Sequence, residues 1–184
     1  HTKFEIEISK NITIEDDLKR RDITINSIAK DVLTGKIIDP FNGIKDINDK
    51  VIKMTSSAFS EDPLRVYRVA RFAAVLEFNV DEKTICEMKR IKEELKTLSS
   101  ERVFIEFKKA LNSKRPSIFF EVLRKSEVLD VHFKEIYDLI GKTQPVEYHP
   151  EGDGYNHTMI VLDSSCKLTN RLEIRYIYRR RSFS

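Results

Sequence analysis

Two cysteines and the lack of any long apolar run set the first limits on this sequence. Cys86 and Cys166 lie far apart and outside any CxxC pattern, which is typical of ordinary thiols in a reducing compartment and argues against a zinc site. No stretch approaches the roughly 20 apolar residues that cross a bilayer, and the first residues do not resemble a signal peptide. The sequence therefore predicts a soluble globular protein of the cytoplasm.

No excess of either charge is present. The 184 residues include 33 Lys and Arg against 30 Asp and Glu, a net charge of +3, and 40% of the residues are hydrophobic, enough to form a core. This balance neither requires nor excludes a polyanionic partner, so the positions of the charges carry more information than their sum.

The first third of the chain mixes strand and helix patterns. Residues 4–9 alternate apolar and charged side chains, which predicts a strand with one buried face. Thr13 and Asp16 form a capping-box pattern, and the apolar stripe that follows predicts a helix over residues 14–30.

Two short β-prone runs come next, at residues 36–39 and 50–54, with Gly35 and Pro40 as punctuation. The Asn42-Gly43 pair predicts a positive φ, and we interpret the segment as a shaped loop without a catalytic role.

From Asp62 onward the pattern changes to successive amphipathic helices with few glycines and short joints. These are predicted over residues 62–77, 82–95, 100–112, 116–126 and 133–140. A surface loop over residues 143–158 leads into another helix, and the last ten residues are basic with interleaved aromatics. The fold class predicted is α+β, mostly α-helical.

The sharpest local feature is EDPLRVYRVARFAA, in which Asp62, Arg65, Arg68 and Arg71 recur every three residues. On a helix this spacing predicts one carboxylate and three guanidiniums along a single edge. A guanidinium fork fits a triphosphate or the acceptor edge of a base, and a carboxylate can accept a hydrogen bond from a base amino group. The alternative is that Asp62 caps the helix and the arginines make surface ion pairs.

A second cluster is LKRRDITINSIA. Arg21 could reach a phosphate while Asp22 and Asn26 fix the local geometry by hydrogen bonds. The alternative is a solvated basic face.

Three ordered motifs, RRDITINSIA, IIDPFNGIKDI and FSEDPLRVYRVARFAA, resemble the head and neck motifs of the superfamily of class II tRNA nucleotidyltransferases and bacterial poly(A) polymerases. The bacterial multifunctional CCA-adding enzymes are the most similar subtype. The resemblance continues through SSERVFIEFKKAL and YHPEGDGYNHT, up to about residue 170.

The resemblance implies a domain order. Residues 1–60 would be the last part of a nucleotidyltransferase head, residues 61–140 a helical neck and body for nucleotide selection and tRNA binding, and residues 141–184 the start of a truncated HD-like domain with an aberrant tail.

The resemblance also implies an activity, the addition of C, C and A to the 3′ end of tRNA from CTP and ATP with Mg²⁺. Arg21 would contact the triphosphate, Asp62 and Arg65 would bind the base edge, and Arg68 and Arg71 would support the nucleotide.

The family's catalytic elements are a Gly-rich loop and a pair of carboxylates that binds the metal ion. Neither is found before Arg21, so no catalytic residue is assigned and the chain is expected to be an inactive fragment. The sequence also departs from the family pattern after Cys166, which a frameshift or truncation would explain.

His149 and His157 lie where the HD-type domain of the multifunctional subtype begins. His157 would be its first metal ligand, but no His-Asp pair follows, so we assign no hydrolase activity. The alternative is that both are loop residues.

Several basic residues after Leu95 would contact the tRNA acceptor arm through its phosphates, or would form a solvated helix face. These are Arg102, Lys108, Lys109, Lys114 and Arg115. Two alternatives to a CCA-adding enzyme stay open, a bacterial poly(A) polymerase and a noncatalytic RNA-binding module.

Overall fold

The computed structural model describes residues 12–142 and 153–168, and within these ranges the chain is mostly helical. The helices are α1 (Ile14–Lys19), α2 (Gly43–Asn48), α3 (Arg65–Leu76), α4 (Glu82–Arg90), α5 (Lys92–Leu95), α6 (Ser100–Ala110), α7 (Ser117–Lys125), α8 (Leu129–His132), α9 (Lys134–Tyr137) and α10 (Gly154–Leu168). The strands are β1 (Ala29–Lys30), β2 (Ile37–Ile38), β3 (Val51–Ile52) and β4 (Asn79–Val80). Strands β1 and β2 pair antiparallel, and β3 and β4 pair in parallel with α3 in the connection between them. The predicted α+β, mostly helical fold class is confirmed. We call residues 12–54 the head segment and residues 65–142 the helical body.

The helix predicted over residues 14–30 is wrong beyond α1. Its capping box is present, and the backbone N–H of Asp16 donates to the Thr13 hydroxyl at 3.2 Å. The chain then becomes extended at Ile23 (φ −134°, ψ 151°), where the backbone pairs with Met54 in an antiparallel bridge. The long-range pairing overrides the helical periodicity, and the β-branched residues in this stretch favour the extended conformation.

Polar contacts hold the head segment together. The backbone N–H of Thr24 donates to the carbonyl of Lys53 at 2.9 Å, and its hydroxyl donates to the buried carboxylate of Asp46 at 2.7 Å. The Lys53 ammonium donates to the other oxygen of Asp46, and this hydrogen bond raises the pKa of Lys53. Asp46 therefore has both oxygens satisfied although it is buried.

The positive φ predicted for the Asn42-Gly43 pair lies at Asn42 (φ 61°). The predicted loop is instead the start of α2, whose first N–H groups, from Gly43 and Ile44, donate to the Asp39 carboxylate at 2.7 and 2.9 Å. A Cβ atom on Gly43 would lie 2.3 Å from the Thr24 carbonyl oxygen, so only glycine fits this close approach.

Helix α3 lies at the centre of the helical body, where it packs against α6 and α7. Ala70, Ala73 and Ala74 are fully buried on α3, and such small side chains allow neighbouring helices to approach closely. The buried phenol of Tyr67 is hydrogen-bonded to His132 Nδ1 at 2.7 Å, which ties α3 to α8.

Four buried phenylalanines form the aromatic centre of the body. Phe107 lies on α6, Phe119 and Phe120 lie on α7, and Phe133 follows α8. Every pair of these rings has centroids 5.3 to 5.7 Å apart. Mostly tilted or edge-to-face ring pairs at this separation stabilise a core beyond the area they bury.

The helices predicted for the body are confirmed with shifted ends. Residues 100–112 and 116–126 correspond to α6 and α7, residues 82–95 form α4 and α5, and residues 133–140 contain α9. The helix predicted over residues 62–77 begins only at Arg65, and α8 was not predicted. The helix expected after the loop is confirmed as α10, but it begins at Gly154, so the loop predicted over residues 143–158 is wrong over its last five residues and His157 lies on the helix.

Three predictions fall outside the described residues. These concern the strand at residues 4–9, the loop residue His149, and the aberrant tail after residue 168.

Candidate nucleotide site

The entrance to α3 is a sharp change of direction. A 3₁₀ turn over Ser57–Glu61 ends at Asp62, which is extended (φ −129°, ψ 103°) and lies before the helix. The Asp62 Oδ1 atom accepts from the backbone N–H of Leu64 at 3.1 Å, and its carbonyl accepts from the N–H of Arg65 at 3.0 Å. The prediction that Asp62 shares a helix edge with the arginines is therefore wrong. Asp62 instead fixes the turn that leads into α3, whose N-cap is Leu64 and has no side-chain cap hydrogen bond, so the capping alternative is not confirmed as such.

Arg65 joins the head segment to α3. Its side chain is half-buried, and its two terminal nitrogens donate to backbone carbonyls, Nη1 to Ala58 and Nη2 to Arg20 at 2.6 Å. Because neither partner is a carboxylate, Arg65 keeps its positive charge uncompensated by these contacts.

Arg68 is paired with a buried carboxylate of the head segment. Its Nε and Nη2 atoms both lie 2.7 Å from Oδ2 of Asp22, which is only 5% exposed. The other carboxylate oxygen accepts from the backbone N–H of Ile23 at 2.9 Å and from Asn26 Nδ2 at 3.0 Å. The prediction that Asp22 and Asn26 fix the local geometry is confirmed by this contact.

Arg71 is tied to α6. Its Nε atom donates to Glu106 Oε2 at 2.6 Å, and Lys109 donates to Oε1 of the same carboxylate at 2.7 Å. The Arg71 guanidinium also lies over the Phe72 ring, 3.8 Å from its centroid. Since the Arg71 side chain is only 14% exposed, its charge is compensated mainly by Glu106 within the protein.

Glu106 is a partner of Arg71 that the sequence pattern did not predict. The sequence does contain a sign that Glu106 is buried, because it falls on the same face of α6 as the buried residues Val103, Phe107 and Ala110. A carboxylate at such a position needs a charged partner. Burial acts to raise the pKa of Glu106, but the Lys109 hydrogen bond and the charge of Arg71 outweigh it and hold the pKa below its ordinary value.

Arg21 lies at the surface beside the Asp22–Arg68 pair. It donates from Nη2 to Asp17 at 3.1 Å and from Nη1 to the backbone carbonyl of Asn26 at 3.0 Å. Since Asn26 also donates to Asp22, Arg21 is one residue away from the buried pair.

The structure thus gathers Arg21, Arg65 and Arg68 around the junction between the head segment and α3, with Asp62 at its rim. Arg71 is held separately by α6. Such a junction offers guanidinium donors, an uncompensated cation and a half-exposed carboxylate, which are the groups that can bind a nucleotide.

The basic residues predicted to contact tRNA differ in their contacts. Arg102 lies 3.6 Å from Asp62, and Arg115 lies 3.7 Å from Asp163 on α10. Lys108 and Lys114 are exposed and make no ion pair within the part of the chain that the structure describes.

Residues 12–142 and 153–168 contain no group of three His, Cys, Asp or Glu side chains that could hold a metal ion. The residues described here therefore do not fit a metal centre. His157 lies on α10 outside any such group, so its assignment to an HD-type domain stays a prediction. None of the helices in the described ranges is long and apolar enough to cross a membrane.

Comparison with known families matches two consecutive parts of the chain. Residues 2–53 match the poly A polymerase head domain, and residues 77–139 match the probable RNA and SrmB-binding site of polymerase A. Relatives named multifunctional CCA protein are similar over nearly the whole chain. That of Mannheimia succiniciproducens is 47% identical over 178 residues, 94% of this chain, and that of Haemophilus influenzae is 47% identical over 174 residues, 92% of this chain. The chain is therefore similar, along most of its length, to proteins of the tRNA nucleotidyltransferase and poly(A) polymerase family. It spans 42% of the length of each of these two relatives.

Solved structures of this nucleotidyltransferase family share the fold. A tRNA nucleotidyltransferase complexed with a primer tRNA and an incoming ATP analogue superposes with a TM-score of 0.59 at 30% identity, over 82% of this chain and 49% of that one. The Bacillus stearothermophilus CCA-adding enzyme in complex with CTP gives a TM-score of 0.55 at 34% identity, over 63% of this chain and 30% of that one.

Proposed function

We propose that this chain forms the nucleotide-selecting and tRNA-contacting part of an enzyme that adds C, C and A to the 3′ end of tRNA from CTP and ATP. The observation that carries the proposal is the cluster at the head–α3 junction, where Arg21, Arg65 and Arg68 each donate to a residue between Arg20 and Asn26 and Asp62 accepts from the first turn before α3. The similarity to multifunctional CCA proteins supports it.

Asp62 and Arg65 bind the edge of the base in this proposal. The Asp62 carboxylate accepts from the amino group that cytosine and adenine both carry, and Arg65 donates to a ring nitrogen or carbonyl acceptor. Arg65 is suited to this role because two backbone carbonyls fix its position and leave its other N–H donors available. The protein side chains then replace a nucleic acid template.

Arg21 contacts the triphosphate, because it is exposed and adjoins the fixed Asp22–Arg68 pair. Arg68 and Arg71 support the nucleotide from behind, each held by a buried carboxylate. Residues 1–60 would belong to the head, residues 61–140 to the neck and body, and residues 141–184 to the start of an HD-like domain.

The transfer step needs groups that these residues do not supply. Mg²⁺ would supply the charge stabilisation for nucleotidyl transfer, and the described residues offer no ligand set for it. We therefore expect the 184-residue chain alone to bind nucleotide weakly and not to extend tRNA. The same proposal includes contacts between the tRNA backbone and the exposed basic residues on α6 and after it. It also includes a cytoplasmic location.

A hybrid protein tests this proposal. This chain would replace the corresponding 42% of the Mannheimia succiniciproducens relative, and the hybrid would be given tRNA lacking its CCA end together with CTP and ATP. We expect addition of C, C and A. The unaltered relative serves as the positive control, and the 184-residue chain alone should leave the tRNA unchanged.

A poly(A) polymerase is the second candidate, and the two matching family descriptions favour it. The same assay distinguishes the two candidates. A folded hybrid that adds only runs of A and does not use CTP would contradict the CCA proposal and support a poly(A) polymerase. A folded hybrid that binds tRNA but extends it with neither nucleotide would favour a noncatalytic RNA-binding module.

A further inference from the structure

Helix α6 makes two contacts with the nucleotide site, one turn apart, and they differ in strength. Glu106 is 3% exposed and holds Arg71 at 2.6 Å, whereas Arg102, which is 53% exposed, lies 3.6 Å from the Oδ1 atom of Asp62. The first contact is a buried, short ion pair. The second is longer and half-exposed, at the rim of the site.

The contact with Arg102 involves only one oxygen of the Asp62 carboxylate. Oδ1 faces both the Arg102 guanidinium and the backbone N–H of Leu64, which donates to it at 3.1 Å. Among residues 12–142 and 153–168, no hydrogen bond or ion pair reaches Oδ2 of Asp62. One hydrogen bond and one facing cation on the same oxygen favour a carboxylate orientation that leaves the other oxygen available as an acceptor.

Arg102 has no competing carboxylate in the described residues, since Asp62 is its one ion-pair partner there. Arg65 is fixed in another direction, since its Nη1 and Nη2 atoms donate to the carbonyls of Ala58 and Arg20, and no ion pair joins it to Asp62 in the described residues. The charge that faces Asp62 therefore comes from α6.

We propose that Arg102 is a positioning residue for base selection, which orients the Asp62 carboxylate so that Oδ2 accepts from the amino group of the incoming base. This rests on the proposed function, in which Asp62 contacts the base. Arg102 itself does not contact the nucleotide. The Glu106–Arg71 pair one turn later fixes the register of α6 against α3, so that the Arg102 guanidinium stays within reach of Asp62.

The test is nucleotide choice in the hybrid enzyme, measured as the ratio of kcat/KM for CTP over UTP at the C-adding steps and for ATP over GTP at the A-adding step. We expect Arg102→Ala to lower this ratio about two- to fivefold, the range of a half-exposed ion pair. Arg102→Lys should keep most of the ratio, because an ammonium can still face Oδ1. Arg90→Ala is the matched control, since it removes an arginine of similar exposure (59%) that pairs with Glu87 on α4.

Asp62→Ala distinguishes failure of the positioning role of Arg102 from failure of the proposed base-binding role of Asp62. If Asp62→Ala lowers the ratio and Arg102→Ala does not, the positioning role of Arg102 is overturned while the proposed function stands. If Asp62→Ala leaves the ratio unchanged, the proposed role of Asp62 in base selection fails as well. A purely structural role for Arg102 would lower the free energy of unfolding and kcat for both nucleotides equally, with no change in the ratio, and this result would also overturn the positioning role.

Discussion

The head segment and the helical body are stabilised by different kinds of contact. The body is packed around four phenylalanines whose rings all lie within 5.7 Å of one another. The head segment depends on buried polar pairs, among them Thr24 and Lys53 on the Asp46 carboxylate and Asn26 on Asp22. Apolar packing is nondirectional, whereas hydrogen-bonded pairs require fixed geometry.

The two regions meet at the start of α3. Arginines of α3 reach from the body into the head segment, Arg68 to Asp22 and Arg65 to the carbonyl of Arg20. The side chains proposed to bind the nucleotide therefore also join the two regions. In the proposed function, nucleotide binding is therefore coupled to the contact between head segment and body through Arg65 and Arg68. Variants in each region should separate the contribution of the body's apolar packing from that of the polar contacts at the junction.

The largest effect is expected in the body. Phe133→Ala should lower the free energy of unfolding by about 3–5 kcal/mol, because the three neighbouring rings lose a partner and a cavity remains. Urea unfolding of the 184-residue chain, followed by circular dichroism, measures it. Phe104→Ala is the control, since this ring is 52% exposed and should change stability little. Equal losses in the two variants would contradict the account of the core.

A smaller loss is expected for Glu106→Gln, about 3 kcal/mol, because it leaves Arg71 without its buried counterion. The effect depends on pH. The pKa of Glu106 is lowered in the folded state, so its contribution to stability is present above the ordinary value of 4.5 and is lost as the pH falls through the lower folded value.

Urea titrations at several pH values test this prediction. The wild-type protein should lose part of its stability in acid that Glu106→Gln has already lost, so the two curves should converge at low pH. Glu93→Gln, at an exposed pair with Lys96, is the control that should follow the wild type. Parallel curves for Glu106→Gln and the wild type would contradict the role of this carboxylate.

Asp22→Asn should weaken the junction by about 1–3 kcal/mol, the range for a buried hydrogen-bonded group that loses a charged partner. Hydrogen exchange read by mass spectrometry should show faster exchange in residues 20–30, with the helices around the phenylalanine cluster unchanged. Asp17→Asn, at an exposed pair with Arg21, should leave both regions unchanged. Equal acceleration in the two regions would show that the junction is part of one cooperative core.

The smallest effect on stability is expected for Arg21→Ala, less than about 1 kcal/mol, because its pair with Asp17 is exposed. In the hybrid enzyme this change should raise KM for CTP and ATP by the same factor, since both nucleotides carry the same triphosphate. A change in the choice between CTP and ATP would contradict the assignment of Arg21 to the phosphates.

The sequence predicted the body better than the head segment, for a physical reason. Helices such as α6 and α7 carry apolar residues at helical spacing along their whole length, so local periodicity is sufficient. The extended backbone at Ile23 depends on pairing with Met54, and this contact leaves no mark on the local pattern.

The same limit applies to the site. The sequence shows the spacing of Arg65, Arg68 and Arg71 but does not predict their partners. Asp22, the partner of Arg68, lies 46 residues away along the chain, and Glu106, the partner of Arg71, lies 35 residues away. The position of Asp62 before the helix was one of two geometries that the sequence left open, because a proline one residue later is compatible with either a helical or a capping Asp62.

The central claim is that the entrance of α3 selects the nucleotide, and Asp62→Ala in the hybrid enzyme tests it most directly. In competition of CTP and ATP against UTP and GTP on tRNA lacking its CCA end, the variant should lose about tenfold or more of its preference for CTP and ATP, as expected when one hydrogen bond to the amino group that cytosine and adenine share is removed. Its fold should be retained, as judged by the urea midpoint. A folded Asp62→Ala enzyme that still adds C, C and A in order with unchanged selectivity would contradict the account.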